Sequence, residues 1–328
     1  MIDIPGFIDL QVNGHKGIDF SSPQLTEEDF VFACKALISE GTVAFLPTII
    51  TSSAAIFERN LRLMADCMRR SDLTNALLGF HVEGPFISEE DGARGAHNSK
   101  WVRKPDSGFL DKLYKWSDQR IKLLTISADV EGAADLCRYA TKELGITVSL
   151  GHHLATGEEL DSAAAAGARA LTHLGNGIPR LLPRHHNPLW AGLANDNLSA
   201  MMIADGHHIP PSIIKTIIRT KGISKTIVVS DASPIAGLPP GEYNTLGNEV
   251  ILEESGRLYN PETGYLVGSS STMLECMNYL RSLDLLTDDE LMQVGFFNPL
   301  QLIDVEPSGI INDAVSLIEK KEDMFVLK

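Results

Sequence analysis

Several features that mark large protein classes are missing from this sequence. Its four cysteines, Cys34, Cys67, Cys137 and Cys276, stand too far apart for a C-x-x-C clamp or a zinc knuckle, and are expected as reduced packing residues. No apolar run reaches the 18 residues or so that a membrane-spanning helix needs. The opening MIDIPGFIDLQVNG has acids where a secretory signal needs a basic start, so the expectation is a cytoplasmic protein without a membrane partner. Basic residues are scarce: 28 Lys plus Arg against 43 Asp plus Glu leave a formal charge of −15. A chain so acidic repels phosphate backbones at long range, and nucleic acid is not an expected partner. A small anion is still admitted, because local cations outweigh a distant field within about 8 Å. There is no G-x-x-x-x-G-K-[ST] and no G-x-G-x-x-G, which leaves nucleotide chemistry little support.

What is present is an ordinary globular balance, 44% apolar and 22% charged over 328 residues. That length admits two domains or one large α/β barrel. Eight short β-branched runs recur: FIDLQV (7–12), TVAFLPTI (42–49), ALLGFHVEG (76–84), IKLLTISAD (121–129), TVSLGH (147–152), ALTHL (170–174), SAMMIAD (199–205) and TIVVSDA (226–232). Helical periodicity lies between them, with Leu25, Phe30, Ala33 and Leu37 on one face, Ile56, Leu61 and Met64 on another, and Gly41 as a helix stop. Strand and helix in alternation predict the α/β class and a (β/α)8 barrel of the TIM type over residues 1–305, with a doubly wound open sheet as the competing arrangement. Within it, the Gly- and Pro-rich stretch 233–268 predicts a loop-and-hairpin excursion. Residues 306–328 read as a degenerate tail.

The polar residues decide for the barrel, because nearly all the unusual ones fall at the C-terminal ends of these runs, where barrels build their sites. In order they are Gln11 and Asn13, His81 and Glu83, His152 and His153, His173 and Asn176, Asp205, His207 and His208, then Asp231. A catalytic divalent metal needs about three N or O donors and an open position for water. Donors tens of residues apart are useless to a zinc finger, but successive strand ends are neighbours around one barrel mouth. Glu83, His152 and His173 end the third, fifth and sixth runs and supply two imidazoles and a carboxylate. Asp231, alone, reads either as a helix N-cap or loop acid or as a catalytic group.

Read together, PGFIDLQVNG (5–14), HVEGPF (81–86), RGAHN (94–98), LGHH (150–153), THLGNGIP (172–179), ADGHH (204–208), SDASPIAG (230–237) and GSSSTM (268–273) resemble, in order, the motifs of N-acetylglucosamine-6-phosphate deacetylases of the amidohydrolase superfamily. The resemblance implies that Glu83, His152 and His173 hold the metal and that Asp231 is the general base and acid, taking a proton from water and returning it to the departing amine. It implies that His208 stabilises the oxyanion, with His207 secondary, and that His97, Asn98, Asn176 and Gly177 contact the sugar. Gln11 and Asn13 stand where many amidohydrolases have H-x-H and two metals. Amide side chains bind divalent cations weakly, so one metal ion is expected, with zinc first and iron, manganese and cobalt suited to the same donors.

The sequence also departs from that pattern. The PGFID word starts at residue 5, earlier than is usual, so the small β-sandwich of such enzymes is expected to be missing or vestigial, with 306–328 as its remnant. After THLGNGIP the chain reads RLLPRHHNPLW where an H-R-E-P-G-like stretch with a phosphate-binding arginine is usual; Arg180 or Arg184 is expected to serve. The reading is therefore a metal-dependent deacetylase of N-acetylglucosamine 6-phosphate, a small-molecule enzyme for which the resemblance suggests a homodimer. Its competitors are an amidohydrolase for another N-acyl amino sugar or a cyclic amide, and a non-catalytic sugar-phosphate binding protein. The complete set of Glu83, His152, His173 and Asp231 argues against the last, since a binding module has no need of a base at a metal site.

Overall fold

The computed structural model describes residues 5–70, 73, 75–313, 317–322 and 324–328. The eight runs become eight parallel strands: β1 (Phe7–Val12), β2 (Thr42–Ile50), β3 (Phe80–Glu83), β4 (Ile121–Ile126), β5 (Thr147–Leu150), β6 (Ala168–Leu171), β7 (Ser199–Ile203) and β8 (Thr226–Val229). They follow one another around the sheet in chain order. A parallel bridge from Val12 to Ala232 brings the last strand back to the first. This is the (β/α)8 barrel, and the open-sheet alternative is excluded.

The helices form as their sequences dictate. In α1 (Glu27–Ser39) the Thr26 hydroxyl accepts the Asp29 N–H at the N-cap, and three acids occupy the first turn, where the helix dipole favours them. Phe30, Ala33 and Leu37 are buried, as the periodicity requires. Gly41 then takes φ +92°, a conformation open to glycine without penalty, and turns the chain into β2. Along α2 (Ala54–Cys67), Leu61 and Met64 are buried but Ile56 only half so, and Phe57 completes the face. The helix Pro211–Lys221 precedes β8, and the helix Met273–Ser282 starts at a capping box in which Thr272 and Glu275 satisfy each other's backbone N–H groups.

Register sets the level of the site. Leu150 of β5 pairs with Leu171 of β6, so His152 and His173, each two residues further on, emerge side by side. The Val12–Ala232 bridge, with Asn13 N–H donating to Ala232 O at 2.8 Å, sets Asn13 beside Asp231 in the same way. Beneath that level the barrel interior carries a hydrogen-bonded polar layer. His81 Nε2 meets Thr125 Oγ1 at 2.8 Å, Thr125 meets Thr172 at 2.8 Å, and Thr172 meets Ser149 at 2.6 Å.

The excursion is a three-stranded antiparallel sheet, β9 (Gly241–Thr245), β10 (Asn248–Leu252) and β11 (Leu258–Tyr259), with its own small apolar cluster of Ile235, Val250, Leu252, Leu258 and Val267. The described part of the tail includes a hairpin, β12 (Ile318–Lys321) and β13 (Met324–Leu327), at the opposite end of the barrel from the site. There the Phe325 ring meets Phe7 edge-on at 5.2 Å. Residues 314–316 and 323 of the expected tail lie outside the described residues.

Candidate active site

Three strand ends converge on one point. Glu83 Oε1 lies 3.1 Å from His152 Nε2 and 3.1 Å from His173 Nε2, and the two nitrogens are 3.0 Å apart. All three side chains are buried. His152 Nδ1 faces the Ala93 carbonyl at 2.8 Å, which fixes its N–H there and turns the Nε2 lone pair inward. Electron-pair donors crowded at such distances repel one another, and a cation among them relieves the repulsion. The donor chemistry therefore fits a divalent metal, and this trio is the cluster of that kind among the described residues. Burial opposes the Glu83 charge, but the imidazoles of His152 and His173 against its carboxylate hold it well below the ordinary carboxylate range.

Backbone conformation aims these groups. His152, His173 and Asp231, each two residues past the end of its strand, have φ of +53°, +32° and +49°, left-handed backbone at the level of the barrel mouth. Such backbone costs about 1–3 kcal/mol per non-glycine residue and persists where surrounding structure enforces it, most often at functional sites.

Asp231 accepts from Asn13 Nδ2 at 2.7 Å. Burial first, and then the Glu83 charge, push its carboxyl up to about 6. Two carboxylates with values driven apart, one low among imidazoles and one raised, is the electrostatic pattern that separates a ligand from a proton carrier. Nearby, His208 Nδ1 meets Asp205 Oδ2 at 2.7 Å, while Asp205 Oδ1 accepts the His207 and His208 N–H groups, both at 2.9 Å. Burial works against the Asp205 charge, but these contacts hold its carboxyl well below the ordinary range. Glu83, His152, His173, His208 and Asp231 all line one cavity of about 330 Å³ at the C-terminal mouth of the barrel.

Residues 2–240 match the amidohydrolase family. The chain is 32% identical over 315 residues to an N-acetylglucosamine-6-phosphate deacetylase of Danio rerio, covering 92% of this chain and 75% of that protein. The chain belongs to the N-acetylglucosamine-6-phosphate deacetylases of the amidohydrolase family. It is 28% identical over 302 residues to an N-acetylgalactosamine-6-phosphate deacetylase of Escherichia coli O157:H7, covering 92% and 78% of the two chains. The solved structure of an N-acetylglucosamine-6-phosphate deacetylase from Thermotoga maritima superposes with a TM-score of 0.83 at 27% identity, covering 99% of this chain and 83% of that one. As a member of this deacetylase family the chain is a hydrolase of an amide bond, and the family is metal-dependent.

Within this deacetylase fold the other expected site residues separate into two groups. His97 is buried, its Nδ1 2.8 Å from Thr51 Oγ1, its Nε2 3.7 Å from Glu83 Oε2 and its ring against His152. Burial and the neighbouring His152 push it down to about 3, so it is neutral. Asn176, Gly177 and Arg180 line the cavity, as does Asn13, while Gln11 lies below it and donates to Glu83 Oε1 at 2.9 Å. Asn98 and Arg184 are not among the lining residues. Asn98 is exposed and accepts the Lys100 N–H, capping a short turn, and Arg184 sits on an exposed loop whose carbonyl accepts from Trp190. Asp231 is no N-cap. His153 is buried beside the site without lining it.

Strand-end reasoning does not reach the contribution of the excursion. Leu246, Gly264, Tyr265 and Leu266 come back over the mouth and form a wall of the cavity. Their motif-free, turn-rich sequence signals a hairpin, and nothing local in it says where the hairpin folds.

Proposed function

We propose that this chain removes the acetyl group from N-acetylglucosamine 6-phosphate, giving acetate and glucosamine 6-phosphate, with Glu83, His152 and His173 as ligands of a single zinc-class divalent ion. The observation that carries the reading is the convergence of this trio with Asp231 and His208 in one cavity. The ion, when bound, supplies an acidified water and a Lewis acid beside the amide carbonyl. Asp231, oriented by Asn13, takes the proton of the attacking water. As the C–N bond breaks it delivers that proton to the sugar nitrogen, which leaves as an amine, while the water oxygen stays on the acetyl carbon. His208, its Nδ1–H committed to Asp205, acts as an imidazolium whose Nε2–H donates to the acetamide oxygen and meets the negative charge that develops there. His97, neutral and lining the cavity, suits a sugar hydroxyl.

For the 6-phosphate, the position of Arg180 favours it over Arg184. Among the described residues that line the cavity it is the one Lys or Arg. The test is amine release from N-acetylglucosamine 6-phosphate, N-acetylgalactosamine 6-phosphate and unphosphorylated N-acetylglucosamine by zinc-loaded protein. The phosphorylated glucosamine derivative is expected to give the highest kcat/KM. Preference for the galactosamine derivative moves the substrate to the chemistry named for the Escherichia coli relative, and equal turnover with or without phosphate removes the role of Arg180.

A further inference from the structure

We propose that Tyr265, on the excursion, is a positioning residue that holds Arg180 at the cavity mouth for the anionic arm of the substrate. The inference rests on the deacetylase reading above and assigns the element that sets its preference for a charged sugar.

Arg180 lies on the loop between β6 and the helix Pro188–Ala194, and its side chain is exposed. An arginine in that situation ordinarily samples many rotamers and loses that freedom when it grips a ligand. Here three contacts converge on it. The guanidinium carbon sits 4.9 Å from the centre of the Tyr265 ring. Nη2 donates to the Thr263 carbonyl at 3.1 Å. Between those two residues, Gly264 has φ +66°, and a Cβ there would fall 2.8 Å from Nη2, so the excursion leaves room for the guanidinium where a side chain would fill it. The backbone leading to Arg180 is seated as well, because a Cβ on Gly92 would lie 2.5 Å from Pro179 Cα.

The arrangement leaves the cation able to work. The Thr263 bond uses one of five N–H donors and stacking uses none, so enough donors are left for a two-pronged grip on a phosphate. Arg180, Gly264 and Tyr265 line the same cavity as the Glu83 trio. A molecule filling this cavity therefore meets both the guanidinium and the residues of the reacting centre.

The experiment is the ratio of kcat/KM for N-acetylglucosamine 6-phosphate to that for N-acetylglucosamine in the zinc-loaded full chain. Two substrates on one preparation share the same active fraction, so partial unfolding of a variant leaves the ratio unchanged. Tyr265→Leu is expected to lower the ratio about three- to tenfold through KM for the phosphorylated sugar. Tyr265→Phe, which keeps the ring, is expected to restore the wild-type ratio. Arg180→Ala is expected to lower the ratio about 10- to 100-fold, and Tyr265→Leu added to it should cost nothing more, because the partner is already gone. Equal losses on both sugars in Tyr265→Leu, or a full additive loss in the double variant, would make Tyr265 a plain wall of the cavity and overturn the proposal. An unchanged ratio in Arg180→Ala also overturns it and leaves deacetylation standing. No amine from either sugar in the zinc-loaded wild type removes the deacetylase reading itself.

Discussion

Asn13 shows how a residue of weak ligating power can still serve the chemistry. Its amide lies at the end of β1, where it donates to Asp231 Oδ1, and the Val12–Ala232 bridge fixes the two backbones next to each other. The bond holds one carboxylate oxygen and leaves the other for the proton that the proposed mechanism moves. Asn13→Ala is expected to lower kcat about 10- to 100-fold with metal content retained, measured by steady-state kinetics beside metal analysis. An unchanged kcat would mean that Asp231 is oriented by the barrel alone. The positions of Glu83, His152, His173 and Asp231 at the barrel mouth were legible from the sequence because each lies within two residues of the end of a β-branched run, and His208 stands three residues past the end of SAMMIAD. Asn98 and Arg184 were less so. Their neighbours in the motifs, His97 and Arg180, do reach the cavity, but a one-residue step along a loop, or a four-residue one, turns a side chain to solvent.

At the level of elements, the predicted strands overran their ladders in an informative way. TVSLGH runs to 152 where β5 stops at Leu150, and TIVVSDA runs to 232 where β8 stops at Val229. The excess includes the candidate functional residues His152 and Asp231, in left-handed backbone that no periodicity describes. ALLGFHVEG starts at 76 where β3 starts at Phe80, because Gly79, at φ +146°, breaks the extended run. The excursion was legible as a hairpin, but its return over the mouth depends on pairs such as Arg180 and Tyr265, far apart in sequence. The end of the helix Pro211–Lys221 supplies a test of another kind. Lys221 Nζ donates to the carbonyls of Asn195 and Leu198 at 2.6 and 3.0 Å, tying down the turn before β7. Burial pushes its ammonium from 10.5 down to about 8. Between those values the unfolded chain binds more protons than the folded one, so stability rises with pH through that window, and below about 8 the penalty is constant. In denaturant titrations the wild type is therefore expected to gain on Lys221→Met between pH 8 and pH 10. A difference independent of pH would contradict the assigned burial.

For the molecule as a whole, the barrel separates stability from chemistry along its axis. The site occupies the C-terminal mouth, and the C-terminal hairpin packs on the opposite end, where Phe325 meets Phe7 and Asn278 bonds to the Phe325 backbone at 2.8 and 2.9 Å. Phe325→Ala is expected to cost about 3 kcal/mol of stability, read as a lower Tm, with kcat and metal content as in the wild type. A loss of kcat with unchanged Tm would mean that the hairpin reaches the site. The alternating pattern made the barrel legible because each parallel pair demands a crossover, and the polar strand ends told which end is the mouth.

The claim at the centre is that Glu83, His152 and His173 hold a metal that Asp231 uses but does not bind. It is tested most directly by measuring bound zinc and amine release from N-acetylglucosamine 6-phosphate side by side in the wild type, Asp231→Asn and His173→Ala. Asp231→Asn should keep its zinc and lose turnover by about 10²- to 10⁴-fold, whereas His173→Ala should lose both. Full zinc and wild-type turnover in His173→Ala, or undiminished turnover in Asp231→Asn, would contradict it.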